Sequence, residues 1–214
     1  MRRPMAIGPE PVGLQPVPLQ PVRVELLSGD ALAARLQDVA RLRIEVFRAW
    51  PYLYDGDLAY ESTYLQSYRD SARAIVVAAF AGDTLVGAST GAPLAEHAED
   101  FASAFEGSGI ALETVFYCAE SVLLPAYRGQ GLGHAFFDAR ESHARACGFA
   151  KSAFCSVLRP ADHPMRPQDY APLDPFWRKR GYAPLKEAIA DFSWRDIGAQ
   201  QESRKPLQFW IRDL

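Results

Sequence analysis

Residues 117–147 read YCAESVLLPAYRGQGLGHAFFDARESHARAC, and the order of residue types there decides the fold. Val122, Leu123 and Leu124 close an apolar run, and Pro125, Ala126 and Tyr127 make a turn. The segment Arg128-Gly129-Gln130-Gly131-Leu132-Gly133 follows. Leu132, Phe136, Ala139, His143 and Ala146 then recur at steps of four and three, which places them on one helical face. The unit is a strand, a glycine-rich turn and a helix.

Such a unit has a chemical use. Glycine lets the backbone approach a ligand closely and adopt conformations closed to other residues. The first turn of a helix leaves N–H groups unpaired, and the helix dipole makes that end an anion site suited to phosphate. Arg128 would add a charged fork. A tight turn that binds nothing has the same outline, because glycine motifs alone are weak signals. A triphosphate-binding loop would need a Lys-Ser or Lys-Thr pair after its glycines, and His134-Ala135 stands there. A dinucleotide fingerprint would want glycine where Arg128 stands.

Arg128-x-x-Gly131-x-Gly133, after an apolar strand and Pro125-x-Tyr127, resembles the acyl-CoA pyrophosphate signature of the GCN5-related N-acetyltransferase (GNAT) family. The resemblance extends from about Val24 to the C-terminus. It implies a mixed α/β fold, with a splayed central sheet flanked by helices. It also implies acetyl-CoA as acyl-donor cosubstrate, held by Val122, Leu123, Leu124, Arg128, Gly129, Gln130, Gly131, Leu132, Gly133 and Phe176. The amide near Leu123 or Leu124 would polarise the thioester oxygen.

The bulk properties are compatible with one domain. The chain has 214 residues, 49% of them hydrophobic, and a formal charge of -3 with the signs interspersed. With no basic arm, nucleic acid is not an expected partner. Cys118, Cys147 and Cys155 show neither metal spacing nor a disulfide framework, which fits a reducing, cytoplasmic compartment, and no metal is expected. Residues 1–21 repeat proline at short intervals without a continuous apolar segment, so they read as a flexible arm rather than a signal peptide or membrane span. The acyltransferase domain is then 22–214.

Residues 22–27 alternate as a first strand, with Ser28 or Asp30 to cap the next helix. That helix ends before Pro51. Residues 47–57, FRAWPYLYDGD, are too aromatic for an ordinary solvent loop. On the resemblance, this segment borders the acceptor site. Its aromatics, with Asp55, Asp57 and Glu61, would suit a cationic amine; the alternative is a loop fastened to the core by its rings. A second helix over 60–68 precedes a strand over 74–80 that is buried on both faces. Gly82-Asp83 makes a hairpin turn to a strand over 84–90. Residues 93–107 carry helical spacing and stand as an insertion, whose reading as lid, oligomer contact or packed helix is open.

The strand over 115–124 carries Glu120, an acid in an otherwise uncharged run and the candidate general base; Glu113 is the weaker alternative. Amines are mostly protonated near neutral pH, so acyl transfer requires a proton acceptor. A structural salt bridge is the competing role for Glu120. Cys118 shares its parity, which predicts one common face, and reads as a small buried hydrophobe. After a strand over 151–158, the proline-rich loop 159–167 brings Arg159 and Arg166, either of which could hold a substrate carboxylate. Phe176-Trp177 opens a basic helix closed by Gly181. Trp177 departs from the tyrosine that many family members use as general acid, and indole cannot take that role. Tyr170 is the substitute candidate. Two final strands over 187–195 and 207–211 form an antiparallel edge, joined by a link over 198–206.

The expected function is transfer of an acetyl group from acetyl-CoA to a primary amine in a ternary complex. A small-molecule amine is the favoured acceptor, with a protein amino terminus or lysine as the alternative. No membrane partner is expected, and a homodimer is left open. A non-catalytic acyl-CoA sensor and a structural or interaction domain remain as other classes.

Overall fold

The structure is a computed structural model that describes residues 20–214. The proline-rich arm assigned to 1–21 therefore lies outside the described residues, except for its last two. Strand β1 (Val22–Leu27) leads into α1 (Gly29–Phe47) and α2 (Leu58–Asp70). The hairpin β2 (Ile75–Ala81) and β3 (Thr84–Pro93) follows, then α3 (Ala98–Phe105). Next come β4 (Val115–Tyr117), β5 (Ser121–Leu123), α4 (Leu132–Ala146), β6 (Lys151–Val157), α5 (Asp174–Lys179), β7 (Ala183–Arg195) and β8 (Glu202–Asp213). The sheet order is β1-β2-β3-β4-β6-β8-β7, with β5 paired to β3. This is the mixed, splayed α/β sheet that the resemblance implied.

Both faces of the sheet are covered, which explains why β2, IVVAAFA, is apolar throughout and buried at every position. On one face, Val76, Ala78 and Phe80 meet Leu32, Val39 and Leu42 of α1 and Leu65 and Tyr68 of α2. On the other, Val77 and Ala79 meet Phe136, Phe137 and Ala144 of α4. Helix α3, within the stretch 93–107, joins α1 and α2 on their face. Its Phe101 and Phe105 lie 4.8 Å, ring to ring, from Tyr117 and Phe209, so it is a packed helix over the C-terminal half of the sheet. The closing strands are longer than their sequence suggested. The stretch 198–206 is no link, since β8 begins at Glu202 and continues the hairpin with β7.

The expected strand over 115–124 is two strands. β3 pairs with β4 in the register Ala92↔Tyr117, but with β5 in the register Ser89↔Ser121. The residue numbers of the partners sum to one more in the second pairing, so one extra residue is inserted between Tyr117 and Ser121. That is a β-bulge, and one extra residue inverts the facing of everything after it. Cys118 and Glu120 consequently do not share a face. Cys118 contacts the Ser152 hydroxyl in the α4-side core, whereas Glu120 meets Arg43 of α1. The shared-parity expectation failed because it assumed an unbroken strand.

Among the described residues, no helix is long and apolar enough to cross a membrane.

Candidate active site

The bulge is where the sheet opens. β4 runs parallel to β6 over three residue pairs, Val115↔Lys151 to Tyr117↔Ala153, and the Cys118 amide adds a last bond to the Ala153 carbonyl. β5 then follows β3 and leaves β6, which turns its other edge to β8. A wedge between β5 and the end of β6 results.

The ladder shows which backbone groups border that wedge. Thr90 donates to the Glu120 carbonyl and Leu124 donates to the Val86 carbonyl. Hydrogen-bonded pairs alternate in an antiparallel ladder, so Val122, opposite Ala88, also bonds to β3. Ser121 and Leu123 turn their backbone groups the other way. Of the three residues expected to face a cofactor, Leu123 is thus the one whose amide points into the wedge. Its carbonyl accepts from Arg128 Nε at 3.2 Å. Gly87 makes the arrangement feasible, because a Cβ there would sit 2.6 Å from Leu123 Cδ1.

The bulge is braced from beneath by Arg140 of α4, which is 1% exposed. Its Nη1 donates to the carbonyls of Thr90 at 3.1 Å and Glu120 at 2.8 Å. Its Nη2 donates to the Ser121 hydroxyl at 2.8 Å. A planar guanidinium fork suits three acceptors at fixed angles. Nothing in the sequence distinguished Arg140 from a surface arginine on α4.

The glycine loop enters α4 as expected. Gly129 and Gly131 have φ of 76° and 82°, in the region where side chains are strained. Gly131 is the N-cap, and no side chain caps the helix, so its first N–H groups are left to the loop side. Arg128, Gly129, Gln130 and Gly131 are exposed, while Leu132 is buried beneath them. Phe176 of α5 closes on this loop: its ring lies 4.9 Å from that of His134, and its edge lies 3.6 Å from where a Gly133 Cβ would be. Arg180 clamps α5 to α4 through Asp138 and Glu141. Trp177 lies between Phe154 and Trp210, at 4.9 and 5.1 Å, where its indole serves packing.

Glu120 sits across the bulge in a buried charged group. Its carboxylate pairs with Arg43 of α1 and accepts a bond from the Tyr64 hydroxyl at 3.1 Å. Arg43 also pairs with Glu61 of α2. The Tyr64 hydroxyl meets that of Tyr68 at 2.8 Å. Burial, then the Glu120 charge, holds both phenols above their ordinary range. Burial does the same to Tyr52, whose hydroxyl feels Cys155, Glu120 and Tyr170. These phenols are therefore protonated donors. Burial raises Cys155 to about 12 and also raises Cys118, which rules out thiolate chemistry at neutral pH. Arg43 and Tyr64 were not singled out in the sequence, Tyr52 was read only as part of the aromatic segment, and Cys155 only as a cysteine without metal or disulfide spacing; the four are scattered over α1, α2, a loop and β6.

The aromatic loop is fastened rather than free. Leu53 and Asp55 pair their backbones with Ile197 and Arg195, beyond and at the end of β7. Arg159 donates to the carbonyls of Pro51 and Tyr52 and forks onto Asp196 at 2.7 and 2.8 Å. Asp55 pairs with Arg48 and Arg195, and Asp57 caps α2 through the Tyr60 amide. Both acids of the segment, and Glu61 of α2 through Arg43, thus have a structural partner, as does Arg159. Trp50 meets His163 at 5.1 Å and Tyr170 at 5.9 Å, which joins this loop to the proline-rich loop. Arg166 lies over the Tyr170 ring at 5.3 Å. Glu113 falls in a helical turn before β4, outside the buried group around Glu120. Among the described residues, no group of three or more His, Cys, Asp or Glu side chains is placed to hold a metal ion.

The family model described as Acetyltransferase (GNAT) family matches residues 37–167, which run from α1 through the glycine loop to the proline-rich loop. No curated protein matches the chain. Solved structures do. An N-acetyltransferase from Staphylococcus aureus Mu50 is 8% identical, with 89% of this chain and 98% of that one covered and a TM-score of 0.56. The protein yncA of Salmonella typhimurium, solved with its cofactor acetyl-CoA, is 12% identical, with 90% and 94% covered and a TM-score of 0.55. A GCN5-related N-acetyltransferase from Kribbella flavida is 15% identical, with 89% and 98% covered and a TM-score of 0.56.

Proposed function

The chain belongs to the acetyltransferase (GNAT) family, and we propose that it transfers the acetyl group of acetyl-CoA to a primary amine on a small molecule, by direct attack in a ternary complex. The observation that carries this reading is the wedge at the bulge, with the Leu123 amide on one side and the uncapped N-terminus of α4 below it. The residues fit an acyl-CoA: nothing lies within 4 Å of a Cβ added at Gly129 or Gly131, so the loop leaves room for a diphosphate. The acetyl-CoA bound by yncA of the same fold supports the choice. Arg128, Gly129, Gln130, Gly131, Leu132 and Gly133 would hold the diphosphate end, and Leu123 and Phe176 the arm. The thioester supplies an activated acyl group.

Each residue then has a task. The Leu123 amide donates to the acyl oxygen as its charge develops. Glu120, directly or through water, takes the proton that the attacking ammonium must lose. The carbon–nitrogen bond forms as the carbon–sulfur bond breaks, and the electron pair leaves on the thiolate. Tyr170, whose phenol burial keeps above its ordinary range, is the donor that returns a proton to that sulfur, and the second proton shed by the nitrogen restores the phenol through solvent. The rings of Tyr52 and Tyr64 beside the Glu120 carboxylate suit a cationic amine. The union of the two loops through Trp50 favours a small acceptor over a protein lysine or amino terminus. The site is assigned to a cytoplasmic enzyme without metal.

The test is thiol release from acetyl-CoA over a panel of small amines, with Glu120→Gln in parallel. Release with at least one amine, and loss of the acid limb of kcat/KM in Glu120→Gln, is the expected result. Saturable binding with no release would instead favour a sensor, a reading that the lack of a hydroxyl at Trp177 keeps open.

A further inference from the structure

Two carboxylates share one guanidinium behind the acceptor side of the wedge. Glu61 is 1% exposed, Arg43 8% and Glu120 9%. Both acids pair with Arg43, whose ring contacts are Tyr64 at 4.4 Å and Phe47 at 5.2 Å. Within these three side chains two acids stand against one base, while the buried Arg140 guanidinium of α4 reaches only the Glu120 carbonyl, at 2.8 Å. The function proposed above uses Glu120 and leaves Glu61 without a task.

We infer that Glu61 is a positioning residue that keeps Glu120 basic by competing with it for Arg43. The inference rests on the reading of Glu120 as the proton acceptor. A carboxylate paired one-to-one with a buried guanidinium is a poor base, because the opposite charge favours its ionised form. A second carboxylate on the same guanidinium divides that attraction and adds like-charge repulsion, and both raise the proton affinity of the first. Geometry permits the sharing. Arg43 projects from α1 between α2, which carries Glu61, and the bulge, which carries Glu120. Glu61 is fixed by the helix pair, whereas Glu120 lies in a bulge bordering the wedge.

The other groups facing Glu120 do not supply this effect: from α4, the Arg140 guanidinium reaches the Glu120 carbonyl at 2.8 Å and, as a cation, favours the ionised form. From α2, Tyr64 donates to it, which favours its ionised form. Tyr68 of α2, Tyr52 of the loop and Cys155 of β6 are protonated neutral groups. His97, in the turn before α3, is held neutral by burial against the pull of Asp100, Glu120 and Glu96. Glu61 is the second negative charge in the group.

The experiment is the pH profile of kcat/KM for Glu61→Gln, with Glu120→Gln and wild type beside it and the best amine of the panel as acceptor. Glutamine keeps an oxygen for Arg43 and removes the charge. The acid limb is expected to move down by about one pH unit, and the plateau kcat to fall about three- to tenfold, as a weaker base gives slower proton removal. Acetyl-CoA affinity should not change, since Glu61 lies outside the glycine loop. An acid limb that stays in place in a folded, acetyl-CoA-binding Glu61→Gln, while Glu120→Gln abolishes it, would overturn the role of Glu61 and spare that of Glu120. An acid limb unchanged in Glu120→Gln would overturn both. If Glu61→Gln does not fold, wild-type protein carrying carboxyl-labelled glutamate answers the same question by NMR. Coupled titration of the two signals is expected, and independent single-site titrations would refute the inference.

Discussion

Arg140→Met should loosen the bulge and with it the reacting end of the site. Methionine fills a similar slot but removes four donated bonds: two to the Thr90 and Glu120 carbonyls, one to the Ser121 hydroxyl and one to the Phe136 carbonyl. At about 1 kcal/mol net for each bond, the loss is ~4 kcal/mol. The wild type, however, buries this charge without a carboxylate partner, and relief of that penalty offsets part of the loss. No carbonyl is orphaned: Thr90 still accepts from Ala119, and Glu120 from Thr90. The expected net cost is about 2 to 4 kcal/mol, which in urea is a midpoint lower by about 1 to 2 M. The variant should still fold, because a domain of this size has ~5–15 kcal/mol in hand. Its kcat should fall by more than its stability alone implies, because the carbonyls that Arg140 holds fix where β5 begins and so where the Leu123 amide points. A change in kcat with little change in KM for acetyl-CoA is the signature. Urea unfolding and thiol-release kinetics on the same preparation check both. An unchanged midpoint with unchanged kcat would refute the reasoning, since the bulge would then hold without its brace.

Gly87→Ala should also act through Leu123: its Cβ would stand 2.6 Å from Leu123 Cδ1 and 3.0 Å from the Phe136 ring, an overpacking worth about 1 to 3 kcal/mol, read as a lower Tm together with a lower kcat. Gly131→Ala meets no atom but must hold φ at 82°, so it should cost ~1 to 2 kcal/mol of strain at the helix start, read as a lower Tm, and where the loop relaxes that strain by changing shape acetyl-CoA should bind roughly tenfold more weakly. Asp196 carries the pH dependence of the loop clasp. Burial pushes its carboxyl up, but Arg159 and Lys205 more than offset this and hold it below the ordinary range. A depressed folded pKa gives stability that is present above the unfolded value of about 4 and lost as pH falls through the folded value. Asp196→Asn should therefore lower Tm at neutral pH and flatten its decline between about pH 5 and pH 2, as scanning calorimetry would show.

The fold was readable where local chemistry and global structure agree. The glycines at 129 and 131, the apolar β2 and the steps of three and four along α4 each announce their own conformation. The wedge could be named only through resemblance, because the splay depends on a bulge, and Cys118-Ala119-Glu120 carries no glycine or proline to mark one. That hidden residue is also why Cys118 and Glu120 were placed on one face. The partners of Glu120 were illegible for another reason. Arg43 and Glu61 are separated from it by 77 and 59 positions, and their spacing on α1 and α2 suits a solvated helix face equally well. The aromatic loop was correctly suspected of more than solvation, but its acids are taken by Arg48, Arg195 and the α2 N-terminus. In the proposed function, cationic recognition is left to the rings and to the Glu120 carboxylate.

Calorimetric titration of the protein with acetyl-CoA tests most directly whether the wedge is an acyl-CoA site. Wild type and an Arg128→Ala, Gly131→Ala double variant should be compared, with circular dichroism to show that both are folded. Saturable one-to-one binding to the wild type, lost or weakened at least tenfold in the variant, is the predicted result. Absence of binding to folded wild type, or equal binding by both, would contradict the assignment of the glycine loop and the catalytic reading built on it.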